Sequence, residues 1–264
     1  MDLKLQGKTA FISGSTAGIG LATAQMLLSE GAEVIINGRD EEALQRVVKE
    51  LEGHKYQGSV SGLCADFADE QSVKNLLVSL PSIDILVNNV GIYASKSFFD
   101  TVDEDWERQQ QVNVMSGVRL SRALLPGMLA KDWGRIIFIS SECANLVPAD
   151  LIAYSATKAA MLAISRGLAQ LTVGSGVTVN AIMPGSTMTA GAQKFMENLA
   201  RSNQQTVEEA ESVFSRNERP ASLLQRFATE EEVASSIVYH ASPLASATNG
   251  ACIKVEGGST GGIL

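Results

Sequence analysis

The feature that most constrains this chain is a rhythm in which short apolar runs, each bounded by Gly or Asp, alternate with longer stretches of helical spacing. The runs occupy 9–13, 33–37, 62–65, 83–88, 135–140, 177–183 and 251–255, and the helical stretches 18–29, 41–51, 70–80, 103–130, 154–171 and 230–241. Strand then helix, repeated about six times, spells βαβ units. The runs are continuously apolar, as strands buried on both faces are, so the sheet is expected to be parallel and covered on either side. The fold class is therefore α/β: a doubly wound parallel sheet of about seven strands with helices on both faces. Since α/β folds often run to roughly 200–250 residues around one core, residues 1–264 are expected to form a single domain. One stretch breaks the rhythm. Residues 186–227 are polar and rich in Glu and Ser, and they follow the sixth run. In an open α/β sheet ligands bind beyond the carboxyl ends of the strands, so this stretch is expected to be a helical excursion that forms a lid.

Composition narrows the partners. The chain is 45% hydrophobic and 19% charged, ample material for a packed interior. Its net charge of -8, with no Lys/Arg cluster longer than a pair, repels nucleic acid, and none is expected as a partner. Cys64, Cys143 and Cys252 are odd in number and form no C-x-x-C pair, which argues against a disulfide framework and fits a reducing cytoplasm. His54 and His240 stand far apart with no second ligand at metal spacing, so no metal is expected. Met1 to Lys8 lack the apolar core of a signal peptide, and no uncharged apolar run reaches about 18 residues. Neither export nor membrane spanning is expected.

The first βα turn carries the first chemical signal. Strand Thr9-Ala10-Phe11-Ile12 runs through Ser13-Gly14-Ser15-Thr16-Ala17-Gly18-Ile19-Gly20 directly into an apolar helix. Gly14 suits a tight turn, Gly18 admits close approach of a pyrophosphate, and the helix N-terminus supplies unpaired N–H groups and a partial positive charge. Gly14, Ser15, Thr16, Gly18, Ile19 and Gly20 are thus candidate contacts of a dinucleotide in a Rossmann fold. The second strand ends in Gly38-Arg39-Asp40, about where the cofactor ribose would lie. Arg39 offers forked donors to a 2′-phosphate and favours NADP(H); Asp40, one residue later, keeps NAD(H) as the alternative.

A second constellation carries acid–base chemistry. Tyr154 and Lys158 are four apart on an expected helix, so both lie on one face. A phenol with a reference pKa of about 10 is a poor proton source or sink at neutral pH, and a neighbouring ammonium stabilises its phenolate. Tyr154 is then the general acid when a carbonyl is reduced and the general base when an alcohol is oxidised. Ser141, at the end of the fifth run, can donate a hydrogen bond to the substrate oxygen; Ser140 is its competitor.

The glycine spacing, Asn88-Asn89-Val90-Gly91, Ser141 and Tyr154-Ser155-Ala156-Thr157-Lys158, in that order, resemble the short-chain dehydrogenase/reductase family over nearly the whole chain. Departures are Ser13 for the usual Thr, Val90 for Ala, and Glu256-Gly257-Gly258 for Asp-Gly-Gly. The family spacing to Tyr selects Ser141 over Ser140. The resemblance implies further roles. Asn113 would complete the catalytic set by carrying a water that links the Lys to solvent. Asp66, followed by Phe67, would meet the adenine amino group; Asn88 and Gly91 would support the sheet and pass the cofactor ribose. Pro184, Gly185 and Thr187 would meet the nicotinamide carboxamide, with Thr189 as the competitor of Thr187.

The implied activity is transfer of a hydride between NADP(H) and a ketone or secondary alcohol. The wall of the substrate site is expected to come from Tyr93, Glu142, Cys143, Val147, Met183 and the lid from 188 to 227. Leu223-Leu224-Gln225-Arg226-Phe227 resembles the lid end of bacterial ketoacyl-carrier-protein reductases, so a 3-oxoacyl-[acyl-carrier-protein] reductase is the alternative, beside an NAD-linked alcohol dehydrogenase. A non-catalytic NADP(H) sensor is the reading from another class, and retention of both Tyr154 and Lys158 weighs against it. Family members are commonly tetramers or dimers, which implies a homo-oligomer built on the helices over 103–130 and 154–171.

Overall fold

The computed structural model describes residues 1–262. In chain order its elements are β1 (Thr9–Ile12), α1 (Gly18–Ser29), β2 (Glu33–Gly38), α2 (Glu41–Glu52), β3 (Val60–Cys64), α3 (Glu70–Ser79), β4 (Ile85–Asn88), α4 (Asp103–Gln109), α5 (Ser116–Ala130), β5 (Gly134–Ile139), α6 (Cys143–Leu146), α7 (Ile152–Gln170), β6 (Val177–Pro184), α8 (Ala190–Asn203), α9 (Val207–Glu218), α10 (Glu230–Ala241) and β7 (Cys252–Val255). The strands make one seven-stranded sheet in the order β3-β2-β1-β4-β5-β6-β7, and every pairing is parallel. The expected Rossmann architecture is what the chain adopts. The chain reverses its direction of travel across the sheet between β1 and β4, and that reversal opens a crevice at the carboxyl ends of the strands.

Period-two alternation explains why the runs read as continuously apolar. Ala10 and Ile12, Val34 and Ile36, Ile85 and Val87, and Ile137 and Ile139 face one layer, where α1 contributes Leu27 and Leu28, α2 Leu44 and α10 Ile237. Phe11, Ile35, Leu86, Ile136 and Phe138 face the other, with Val73 of α3, Leu120 of α5 and Met161 of α7. Two apolar layers on one sheet leave no polar face on the central strands. The edge strand β3 differs: its residues are exposed or half-buried, and it starts two residues before the expected run because Val60 pairs with Val34.

Local signals place the helices. Asp40 caps α2 by accepting from the Ala43 N–H at 2.9 Å. Thr229 and Glu232 close a capping box on α10, and Thr206 and Glu209 close one on α9. The helix expected over 103–130 is not continuous. A π-helical turn at Gln110–Met115 separates α4 from α5, a device that recurs at functional sites because it re-aims one side chain. Here that side chain is Asn113. The insertion after β6 is helical, consisting of α8 and α9, and returns to the sheet through a parallel bridge between Thr187 and Ala228.

Candidate active site

The crevice between β1 and β4 is laced by polar side chains. Ser13 Oγ accepts from the Asn89 and Val90 N–H groups at 3.0 and 3.1 Å. Asn89 Nδ2 donates to the Ser13 carbonyl at 3.0 Å and the Gly14 carbonyl at 2.7 Å. Asn37, at the end of β2, accepts from the Gly14 N–H at 3.0 Å and donates to the Leu63 carbonyl at 2.9 Å. The glycine turn is therefore held from three strands. Gly14 has φ +61, and a Cβ there would lie 3.0 Å from Val90 Cα; a Cβ on Gly20 would lie 2.7 Å from the Gly14 carbonyl oxygen. Only glycine meets both demands.

Beside this turn lies a cavity of about 270 Å³ lined by Gly14, Thr16, Gly38, Arg39, Asp66, Phe67, Gly91 and Arg108, among others. The concave shape, the helix N-terminus and the absence of side-chain volume at Gly14 fit the adenosine half of a dinucleotide. Asp40 is committed to the cap of α2, whereas Arg39 is exposed on the cavity wall. Asp66 Oδ1 accepts from the Ala68 N–H at 2.9 Å, which fixes its loop, and Phe67 is buried beneath. Two expected contacts turn away. Ser15 is buried, its Oγ donating to the Ile12 carbonyl at 2.7 Å and accepting from the Asn37 N–H at 2.9 Å. Asn88 is buried against Ser121 at 3.3 Å.

A second cavity, about 520 Å³, meets the first at Gly91 and holds Ser141, Tyr154 and Lys158 together. Lys158 is buried, donates through Nζ to the Ile139 carbonyl at 2.8 Å and stands 5.5 Å from the Tyr154 ring centroid. Burial pushes its ammonium down to about 8. Burial also raises the Tyr154 phenol above its ordinary value, while its hydrogen bond to Ser141 pulls the other way. Ser140 points elsewhere, donating to the Lys158 carbonyl at 2.9 Å, so the hydroxyl beside Tyr154 is that of Ser141. Asn113 is buried and clamps the loop after β4: Oδ1 accepts from the Ile92 N–H at 2.7 Å, and Nδ2 donates to the Ile92 carbonyl at 2.9 Å and to Thr157 Oγ1 at 3.0 Å. These bonds hold the loop at Ile92 and α7 in register beside Lys158; a Cβ on Gly91 would lie 3.4 Å from Lys158 Nζ.

Pro184, Gly185 and Thr187 line the same cavity with Ile19. Thr189 lines it too, but its hydroxyl caps α8 by accepting from the Ala192 N–H at 3.2 Å. Of the expected wall, Tyr93, Glu142 and Cys143 are present, with the Tyr93 and Tyr154 rings 5.9 Å apart, whereas Val147 and Met183 do not line the cavity. Met183 is buried in the sheet. The insertion contributes Phe195, Phe214, Glu218, Arg219 and Phe227. Nothing in the sequence around Arg219 marks it; the signal lies in its partner, Glu142, a carboxylate three residues beyond the end of the apolar β5. Among the described residues no group of three or more His, Cys, Asp or Glu is placed to hold a metal ion.

Known proteins share this arrangement. A family model for short chain dehydrogenases matches residues 8–200. An uncharacterized oxidoreductase of Bacillus subtilis (strain 168) is 45% identical over 258 residues, covering 98% of both chains. The 3-oxoacyl-[acyl-carrier-protein] reductase of Aquifex aeolicus (strain VF5) is 32% identical over 98% of this chain and 99% of its own. Among solved structures, L-sorbose reductase from Gluconobacter frateurii complexed with NADPH and L-sorbose superposes with a TM-score of 0.93 over 100% of each chain, at 31% identity.

Proposed function

The chain belongs to the short-chain dehydrogenase/reductase family, and from that premise we propose that it is an NADP(H)-dependent reductase of neutral ketones, working reversibly on the corresponding secondary alcohols. It is an oxidoreductase that acts on CH–OH groups and binds a nicotinamide cofactor. The observation that carries the finer reading is the division of labour at the end of β2: Asp40 caps a helix, while Arg39 faces the adenosine cavity with its guanidinium available to a 2′-phosphate. The likeness to a sorbose reductase in complex with NADPH supports both the cofactor and a hydroxylated ketone as substrate.

Bound NADPH would supply a hydride to the carbonyl carbon. The residues of the chain manage the oxygen. Ser141 donates a hydrogen bond to the carbonyl oxygen and holds it beside Tyr154, which gives up its phenolic proton as negative charge develops there. Lys158, cationic below about pH 8, favours the phenolate that remains, and its charge is steadied by the Ile139 carbonyl. Oxidation runs the same proton backwards. The glycine turn, Arg39 and Asp66 would hold the adenosine end, and Ile19, Pro184, Gly185 and Thr187 the nicotinamide end.

The helices of 190–218 act as the lid in this reading, since Phe195, Phe214 and Phe227 wall the same cavity as Tyr154. Three free cysteines support a reducing cytoplasm as its compartment. No helix among the described residues is long and apolar enough to cross a membrane. Phe98 and Phe99, exposed just before α4, support a homo-oligomer that covers them. The test is direct: purified protein is mixed with NADPH or NADH and a panel of hydroxylated ketones, and cofactor oxidation is followed. Oxidation of NADPH with a neutral ketone is expected; turnover only with NADH, or none with any ketone, would defeat the reading.

A further inference from the structure

Glu142 and Arg219 lie in the reaction cavity, yet neither takes part in the transfer of hydride or proton. Glu142 follows Ser141 directly and is 3% exposed. Its Oε1 accepts from Arg219 Nε at 2.5 Å and from Ser186 Oγ at 3.3 Å, and its Oε2 accepts from Ser259 Oγ. Gly185 crowds it, for a Cβ there would lie 3.0 Å from Oε2. Arg219 follows the last turn of α9, so this contact joins the insertion to the end of the catalytic strand across 77 positions of sequence. The guanidinium also donates through Nη1 to the Glu218 carbonyl at 2.7 Å and lies 5.9 Å from the Phe214 ring. An arginine so held cannot swing to a substrate without leaving a buried carboxylate unpaired.

The consequence lies in the charges around the substrate. The cations on the wall are Lys158 and Arg219; the anions are Glu142, Asp150 and Glu218. Lys158 sits behind Tyr154 on the Ile139 carbonyl, and Arg219 is neutralised by Glu142. A keto acid entering this cavity therefore meets Asp150 and Glu218 and, among the described residues of the wall, finds no unpaired cation for its carboxylate. A neutral hydroxylated ketone meets acceptors and hydroxyl groups, among them the Ser95–Asp150 pair at 2.5 Å, and aromatic walls. We propose that the Glu142–Arg219 pair is the selectivity element of this enzyme: it fastens the insertion and withdraws Arg219 as a counter-ion, so that neutral ketones are taken and keto acids rejected. Discrimination of this kind rests on what the site refuses as much as on what it binds. The proposal deepens the ketone-reductase reading and rests on it.

The experiment uses the full chain with NADPH and two small probes, dihydroxyacetone as the neutral ketone and acetoacetate as the anion, and compares their kcat/KM values. The wild type is expected to favour dihydroxyacetone at least tenfold. Glu142→Gln keeps the shape of the side chain and releases Arg219, and the ratio is expected to move tenfold or more toward acetoacetate. Adding Arg219→Met to that variant removes the gain. Arg219→Met alone leaves Glu142 unpaired and moves the ratio the opposite way, which keeps the proposal testable if Glu142→Gln does not fold. A purely structural pair would slow both probes equally, and an unchanged ratio overturns the proposal. Acetoacetate binding to the NADP⁺ complexes, read as a thermal shift, needs no turnover. If neither probe is reduced by any variant, the reductase reading fails, whereas the proposal stands or falls on whether Glu142→Gln tightens acetoacetate in that binding measurement.

Discussion

The cofactor side and the substrate side of the crevice are built on opposite principles. On the cofactor side the wall is backbone pinned by buried polar side chains: Ser13, Asn37 and Asn89 bond to main-chain groups of the turns after β1 and β4, and the glycine turn is shaped by what is missing at Gly14 and Gly20. On the substrate side an insertion is fastened by side chains: the Glu142–Arg219 pair, and a row of rings in which Phe195 and Phe214 stand 6.0 Å apart and Phe214 and Phe227 5.5 Å. A backbone cradle tolerates few alternatives and serves one ligand type. A side-chain wall can be repacked residue by residue, which lets one fold accept many substrates.

Tyr154 belongs to both sides, and its removal sharpens the contrast most. Tyr154→Phe deletes one oxygen, and loss of a general acid lowers the rate by roughly 10²–10⁴-fold. The expected outcome is that kcat falls in that range while NADPH affinity, measured by fluorescence titration, stays within about twofold, because the adenosine cavity is untouched. A comparable loss of NADPH binding would show that the two sides are not separable.

Lys158→Met tests the site's internal tension. The ammonium is displaced from an ordinary 10.5 to about 8 by burial, so the native state sheds the proton first. Between about pH 8 and 10.5 the unfolded chain binds more protons, and wild-type stability rises with pH through that window; below it the buried charge is a burden of about 3 kcal/mol. Offset by the lost charge-assisted bond to Ile139, about 2 kcal/mol, removal is expected to stabilise the protein by about 1 kcal/mol at pH 7, a few degrees in Tm, while abolishing turnover. The gain should shrink as pH approaches 10, and wild-type reduction should fade above about pH 8. A variant that melts below the wild type at pH 7 would show that the lysine's contacts outweigh its desolvation.

How much of this was legible follows the same division. The alternation of runs and helical stretches implied the sheet; Gly14 and Arg39 line one cavity of the crevice, and Ser141, Tyr154 and Lys158 the other. Asn113 was legible as a residue but not as a clamp, because a π turn has no periodic signature and the helix over 103–130 reads as continuous. Ser15 and Asn88 are expected at the cofactor, yet their side chains turn inward, Ser15 to Ile12 of β1 and Asn37 of β2 and Asn88 to Ser121 of α5, contacts that the sequence does not show. Arg219 was invisible for the same reason at longer range. Its partner is 77 positions away, and pairing at that separation is decided by tertiary packing alone.

Arg39→Ala probes the cofactor side at its least backbone-determined point. With Asp40 committed to its cap, NADPH is expected to bind the wild type at least tenfold more tightly than NADH, about 1.4 kcal/mol. The substitution should erase that gap by weakening NADPH alone. Equal effects on the two cofactors would mean that backbone governs this position as well, and the contrast between the sides would become sharper still.

The smallest expected effect lies on the substrate side. Phe195 is 51% exposed at the free edge of the ring row, so Phe195→Ala leaves no sealed void and should reduce stability by less than about 1 kcal/mol, far from the 3–5 kcal/mol of a buried Phe. Its ring nevertheless walls the cavity, and its loss should raise KM for a small ketone about threefold with kcat and NADPH affinity unchanged, the signature of uniform binding removed. Bulkier ketones should then gain on small ones, because the wall has receded where the insertion can yield. If instead kcat falls with KM unchanged, the ring positions the carbonyl over Tyr154, and the substrate side would prove as exacting in its geometry as the cradle opposite.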